Sequence, residues 1–368
     1  MTKARFIAQL LSKRFMAEGR ITASKPIGSL QDGLQLASAK NKASAWNETE
    51  AFSPLSVMSI GVREGKQDQE DGQKSAPEVV IFATGRPTAR LLKALPREID
   101  GISIVVARST GIGINPDQAL GDTTDPKLYQ YNGRIACGSS CATATGAPGT
   151  IGALVKKRGK DDLYILSCNH VLAACNQIPL QMPIISPAPN DAKPSGPLPV
   201  SIARLSNVIP LLFGDPTNSS PCEEDVALGK VLDPDLLTSW QGDASGFDTP
   251  IKVVEPEDRM RVKKIGRSSE MTTGTIYAMV YDPTLIQCHQ PSVDFKASAW
   301  FQNFAHIIAD KSPFALPGDS GSLVVTEDGT AAVGILFSAS ASGDYGQIIP
   351  MSRILKVLDV TLVSGHGT

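Results

Sequence analysis

The chain has 368 residues, 42% of them hydrophobic and 20% charged, and a formal net charge of −2. A chain of that length suggests two or three domains with a sizeable core. Its charge balance supplies no global basic field to recruit nucleic acid or an anionic membrane, and no apolar run is long enough to span a bilayer. At the N-terminus, Lys13 and Arg14 interrupt the short apolar run FIAQLL and no small-residue cleavage site follows, which argues against a signal peptide. Phe6, Ile7, Leu10, Leu11 and Phe15 keep helical spacing and predict a short amphipathic helix docked on its own protein, with a partner- or membrane-surface helix as the rival. The remainder of segment 1–50 is polar and reads as irregular with some helix.

Residues 51–112 read as a small α/β domain. Its strands are FSPLSVMSIGVREGK, EVVIFAT and GISIVVARST, and PTARLLKAL is a helix behind a proline. Segment 113–134 is rich in Gly, Pro and Asp and reads as a linker. From Ile135 the pattern changes to short β-type runs separated by Gly, Pro, Asn and Asp, among them TIGALVKK, LYILS, DVALGKVL, RVKKIGR, TTGTIYAMVYD, FAHIIAD, SGSLVVT and YGQIIPM. Many short strands with regular turn signals predict an all-β barrel or sandwich. MSRILKVLDV reads as a closing helix near the end of a 135–362 unit, and 363–368 is a tail. KKRGKDD at 156–162 fits a solvated hairpin turn better than a nucleic-acid patch.

The chemistry gathers at three places. FALPGDSGSLVV sets Ser320 between glycines before an apolar run. A serine hydroxyl is a weak nucleophile unless a base lies within hydrogen-bond reach and a carboxylate fixes that base's tautomer. It also needs two backbone N–H groups aimed at the developing oxyanion, and Gly318 and Ser320 are the candidates. Of four histidines, His170 stands at a strand-to-helix corner in LYILSCNHVLA. His306 alternates with apolar residues, as a satisfied strand histidine does; His289 falls in a Pro- and Gln-flanked loop; and His366 lies in the tail. Asp225 directly precedes the apolar alternation of CEEDVALGKVL. Each motif also has a structural explanation: a turn, a capping histidine, an acidic strand start. Together they run His, Asp, Ser, with 55 residues between the first pair and 95 between the second. That order resembles the one in chymotrypsin-like proteases, and the likeness implies that His170 and Asp225 stand in one barrel, about 135–245, and Ser320 in another, about 255–350, with the site between them.

Six cysteines, Cys137, Cys141, Cys168, Cys175, Cys222 and Cys288, are few for this length. They fit reduced thiols in a cytoplasmic protein. A zinc site from the first four is a weak alternative because their spacing is loose.

SCNHVLA, DVAL and GDSGSLVV resemble the histidine, aspartate and serine motifs of trypsin-like peptidases. VKKIGRSSEMTTGTIYAMV is similar to a strand-turn-strand of the narrow-leaf type of plant peptidases and their bacterial relatives, and LPREIDGISIVV is similar to the segment before the barrel in the latter. The resemblance covers roughly residues 51–360. It implies a mainly β chymotrypsin-like double β-barrel with a closing C-terminal helix, preceded by the α/β domain, and a triad of His170, Asp225 and Ser320. Phe314, six positions before the serine, would hold the pocket floor, and the strand around Phe337 and Ser338 would pair with an extended substrate. The implied activity is a regulated serine endopeptidase with a protein or peptide substrate and no cofactor or metal. A non-catalytic binding module on the same fold and an esterase-type acyl hydrolase are the rivals. The N-terminal region is expected either to inhibit, sense, self-associate or take a regulatory partner, or simply to pack against the barrel and stabilise it.

Two departures raise expectations of their own. Digestive relatives pair the acid before the nucleophile with a freed N-terminal ammonium; here Asp319 needs another partner, an internal Arg or Lys, unless a cut after Arg134 frees Ile135. The disulfide that brackets the histidine in secreted relatives has no second cysteine in TIGALV. GRSS carries no catalytic role in this reading.

Overall fold

A computed structural model describes residues 1–17, 56–65, 75–84, 95–109, 112–114, 126–194, 196–214, 220–311, 313–340 and 342–368. Six strands close on themselves. Arg261–Gly266, Glu270–Val280, Phe304–Ala309, Tyr345–Pro350, Ala332–Ser340 and Leu323–Thr326 pair in that order, all antiparallel, and the last returns to the first. Closure leaves the barrel no free edge. Val262, Ile276, Ile307, Phe314, Val324, Leu336 and Ile348 fill its interior, as the alternation along each strand requires.

A second sheet precedes this barrel in the chain. Its order is Val360–Leu362, Ala153–Lys157, Leu163–Ser167, Ala227–Val231, Val200–Val208, Pro183–Ser186, Ser140–Thr143 and Gly149–Thr150. It curls around Leu154, Ile165, Ile184, Ile202 and Leu228. The helix Met351–Leu358 leaves the closed barrel, buries Met351, Ile354 and Leu358, and delivers Val360–Leu362 to Ala153–Lys157. The chain thereby ties both halves together through its closing helix. The architecture is mainly β, as expected for a double barrel.

The N-terminal strands do not stand apart. Ser56–Arg63 pairs with Glu270–Val280 through Gly61↔Val280 and Val62↔Met279. Glu78–Thr84 pairs with it in turn, followed by Ile102–Ser109 and Glu98–Ile99. The α/β unit is thus an extension of the closed barrel's sheet. The helix Lys3–Ala17 covers it, burying Ala4, Ile7, Ala8, Leu11 and Phe15 on Val57, Ile60, Val79, Ile81 and Ile102. Phe6 and Leu10, expected on the docked face, remain about half exposed, at 49% and 51%. The helix expected at PTARLLKAL and the polar segment 18–50 lie outside the described residues. Among the described residues no helix is long and apolar enough to cross a membrane.

Three local expectations change. His289 sits in the strand Thr284–Gln290, opposite Lys296 in a hairpin with Phe295–Phe301. Burial alternates along Thr284–Gln290, so its pattern outweighs its polar composition. The tail is docked: the His366 carbonyl accepts from Ser239 N at 2.9 Å and Thr238 Oγ1 at 2.8 Å. Within the expected linker, Ile112–Ile114 form a strand.

His306 is the satisfied strand histidine its alternation suggests, buried between Ser59 Oγ at 3.0 Å and Gln347 Nε2 at 3.1 Å. Burial lowers its pKa to about 3. Between that value and the ordinary 6.5 the unfolded chain binds the extra proton, so stability falls as pH drops through this window. Acidification from pH 6.5 to 4.5 should cost about 2–3 kcal/mol through this residue. Denaturant midpoints of wild type and His306→Gln at both pH values check this; equal pH dependence in the two would contradict it.

Candidate active site

The site begins with strand pairing. Leu163–Ser167 and Ala227–Val231 are antiparallel, with Ser167 opposite Ala227. Residues just after the first strand and just before the second therefore project past the same end. The chain turns there into the short helix Asn169–Leu172, and His170 meets Asp225. His170 Nδ1 lies 2.5 Å from Asp225 Oδ2, and the His170 backbone N–H donates to Asp225 Oδ1 at 3.1 Å. Both are buried, Asp225 completely. One carboxylate thus fixes both ring and backbone, which sets the tautomer with Nδ1 protonated and leaves Nε2 as a base. Gln290 Nε2 donates to the His170 carbonyl at 2.7 Å, so the strand Thr284–Gln290 braces the helix.

The loop Phe314–Ser322 approaches from the closed barrel. Two contacts tie it to the chain just before the histidine: Cys168 Sγ and the Gly321 N–H both donate to the Leu336 carbonyl, at 3.4 and 2.8 Å. Ser320 is half-buried. Thr150 holds the loop against the first barrel, its N–H donating to the Ser320 carbonyl and its Oγ1 to the Gly318 carbonyl, both at 2.9 Å. Gly321 has φ +96°, and a Cβ there would fall 2.1 Å from Ser167 Oγ and 2.4 Å from the Thr150 carbonyl. Only glycine lets the two halves close at this point.

Asp319 is the anchor. It is fully buried and accepts from Lys264 Nζ at 3.2 Å, Ser268 N at 2.9 Å, Ser269 N at 3.1 Å, Ser269 Oγ at 2.5 Å and Leu316 N at 2.8 Å. Burial alone would raise its pKa; Lys264 and the four other donors outweigh that and hold the carboxyl below its usual range. Lys264 is the internal partner that the sequence demanded. Arg267, from the same run, forms a buried ion pair with Asp191 instead. Ile135 is buried in the strand Arg134–Cys137, opposite Leu237, and Asp319's oxygens are already occupied, so an ammonium freed at Ile135 has no role to fill.

GRSS therefore does more than the sequence indicated. Ser268 Oγ donates to the Pro317 carbonyl at 2.7 Å. Across a trans peptide the next N–H points the opposite way, so this bond aims the Gly318 amide. The Asp319 carbonyl is likewise held by Ser322 N at 3.0 Å and by Ser322 Oγ at 2.5 Å, which aims the Ser320 amide. Among the described residues the Gly318 and Ser320 amides have no acceptor in the protein, whereas those of Asp319, Gly321 and Ser322 all do. Two donors left open beside a serine are able to hydrogen-bond an anion. Gly318 needs φ +96°, and a Cβ on it would collide with Arg267 Nη1 at 1.8 Å.

The expected substrate contacts fare differently. Phe314 and Phe337 are both 0% exposed. Phe314 fills the barrel interior, where Gly274 and Gly346 leave room for its ring. Phe337 packs on Phe301 and Phe304 with ring centroids 5.0 and 5.7 Å apart. Both rings are core, and neither offers an accessible wall to a substrate. Ser338 is 2% exposed on the strand Ala332–Ser340.

All six cysteines are buried free thiols. Burial pushes Cys137 and Cys141 up to about 12 and Cys222 up to about 11, which removes them as nucleophiles. Cys137, Cys141, Cys168 and Cys175 do not converge as a zinc set. Among the described residues, the one cluster of metal-ligating groups is Cys168, His170 and Asp225, within 4.8 Å of one another, and the His170–Asp225 hydrogen bond already uses its imidazole and carboxylate.

No protein-family model matches the chain, and no curated protein matches it. Among solved structures, Thermobifida fusca protease A is similar at 16% identity and a TM-score of 0.43, over 63% of this chain and 100% of its own. A glutamic acid-specific serine protease is similar at 16% identity and a TM-score of 0.41, over 62% and 100%. Nocardiopsis protease is similar at 15% and 0.41, over 62% and 98%. These neighbours are serine proteases of low identity, and none of the three is of the plant narrow-leaf type.

Proposed function

We propose that the chain is a serine endopeptidase. Ser320 Oγ attacks the scissile carbonyl as His170 Nε2 takes its proton, while Asp225 orients the ring and stabilises the imidazolium. The Gly318 and Ser320 amides bind the tetrahedral oxyanion. His170 then protonates the leaving amine, and water repeats the cycle on the acyl-enzyme. The observation that carries this reading is the buried His170–Asp225 bond beside a serine loop with two open amides. A binding module has no physical need to leave those amides without partners. The six free buried thiols are in keeping with action in the cytoplasm, and the reading takes a limited set of protein targets there as the substrates.

A peptide library incubated with wild type and with Ser320→Ala tests the reading. Cleavage by wild type only is the expected result. No cleavage by either would favour the binding module, and turnover of small esters without peptide cleavage would favour the acyl hydrolase.

The oxyanion geometry has its own test. Ser268→Ala frees the Pro317 carbonyl and lets the Gly318 peptide turn. Turnover should fall by on the order of 10²-fold with KM little changed, since the donor acts mainly in the transition state. An equal rise in KM with kcat intact would place the serine in substrate binding instead.

A further inference from the structure

The strand Ile112–Ile114 occupies an unusual position. It pairs antiparallel with the end of Ala332–Ser340, Gly113 opposite Ala339 and Ile112 opposite Ser340. On its other side it pairs in parallel with Thr284–Gln290, Gly113 opposite Gln287 and Ile114 opposite Cys288. Ser338 to Ser340 follow the Leu336 carbonyl, which ties Cys168 to Gly321, so this stretch leads directly away from the candidate catalytic residues. It is the edge on which an extended substrate would form main-chain hydrogen bonds. Continuing the register by one residue brings Ile114 toward Ser338, with the chain running toward Ser320. The neighbouring Thr284–Gln290 strand, whose Gln290 side chain bonds the His170 carbonyl, forms the opposite wall.

We propose that Ile112–Ile114 is a resident pseudo-substrate: it fills the approach to the cleft in cis and restrains the enzyme. The proposal rests on the peptidase reading above. It also defines the substrate class, an extended peptide inserted between two strand edges and held by backbone hydrogen bonds on both sides. A segment tethered in the same chain is present at high effective concentration, so a free peptide competes poorly until the segment is displaced. Apparent affinity is then reduced by the fraction of molecules whose cleft is open.

Gly113→Pro removes an N–H and is incompatible with a strand paired on both sides. In the full-length chain it should raise kcat/KM on a peptide substrate by about tenfold or more. A synthetic peptide of residues 109–116 should then inhibit the variant competitively. A purely architectural strand would give neither effect. The wild type supplies a second measurement, which does not depend on how the variant folds. Hydrogen exchange should show residues 112–114 protected at rest and losing protection when a peptide boronic acid binds Ser320. Unchanged protection in boronate-bound protein, or a folded variant with the wild-type rate, overturns the proposal. If neither a fluorophosphonate nor the boronate reacts with Ser320, the peptidase reading itself falls, and this one with it.

Discussion

His170→Ala is expected to lower peptide turnover by on the order of 10⁶-fold, as loss of the base in such a relay does elsewhere. The ring is held by Asp225 at 2.5 Å and by its own backbone bond to the same carboxylate, which leaves Nε2 as the base in the proposed relay. The helix Asn169–Leu172 also depends on Asn169, whose Nδ2 donates to Asn176 Oδ1 and to the Ile209 carbonyl, both at 2.7 Å. Truncating the histidine should therefore leave the helix in place. Circular dichroism and thermal melting should show a folded protein, and a matched peptide assay should show almost no product. A loss of only a few-fold would mean that the imidazole serves as a cap and not as a base.

Lys264→Met should have the largest effect on stability, about 3–5 kcal/mol, because it strands the Asp319 carboxylate in the interior. Both side chains are 0% exposed. Four other donors to Asp319 remain, but none carries charge, and burial then pushes the carboxyl upward. The sign of the pH effect follows. In wild type the carboxyl lies below its usual range, so its contribution is fully present above the ordinary carboxylate pKa and is lost as pH falls through the lower, folded value. In Lys264→Met, with the carboxyl pushed above its ordinary value, the sign reverses: the penalty is greatest at high pH and is relieved as pH falls and the carboxyl takes up a proton. A denaturant titration of Lys264→Met, Asp319→Ala and the double variant measures the coupling. The double variant should cost much less than the two single changes added together; simple additivity would deny the pair its role. Activity should fall with stability in both single variants, because Asp319 holds Leu316, Ser268 and Ser269 and so shapes the loop that presents Ser320.

Much of this was legible in the sequence because local signals agreed with the global fold. The alternation in RVKKIGR, FAHIIAD and YGQIIPM marked barrel strands, and MSRILKVL marked the closing helix. His170 and Asp225 could be chosen because each stands at the edge of an apolar run. Contacts between segments distant in the chain were not legible. That Lys264 and Ser268 serve residue 319 depends on the pairing of Arg261–Gly266 with Leu323–Thr326, and no short-range pattern encodes that pairing. A lysine inside an apolar strand was the available clue, since a buried ammonium must find a carboxylate. Phe314 was misplaced because counting back from the serine ignores Gly274 and Gly346, whose missing side chains make room for its ring in the core, whereas Phe337 lies on the strand expected to meet substrate but turns its ring inward onto Phe301 and Phe304. The strand Ile112–Ile114 is hidden among glycines and gains its order from two partner strands far along the chain.

The most direct measurement is a fluorophosphonate reaction followed by peptide mapping, on wild type and His170→Ala. The account requires a stoichiometric adduct on Ser320 in wild type and almost none in the variant. An unlabelled wild type, an adduct on another residue, or equal labelling of Ser320 without the imidazole would contradict it.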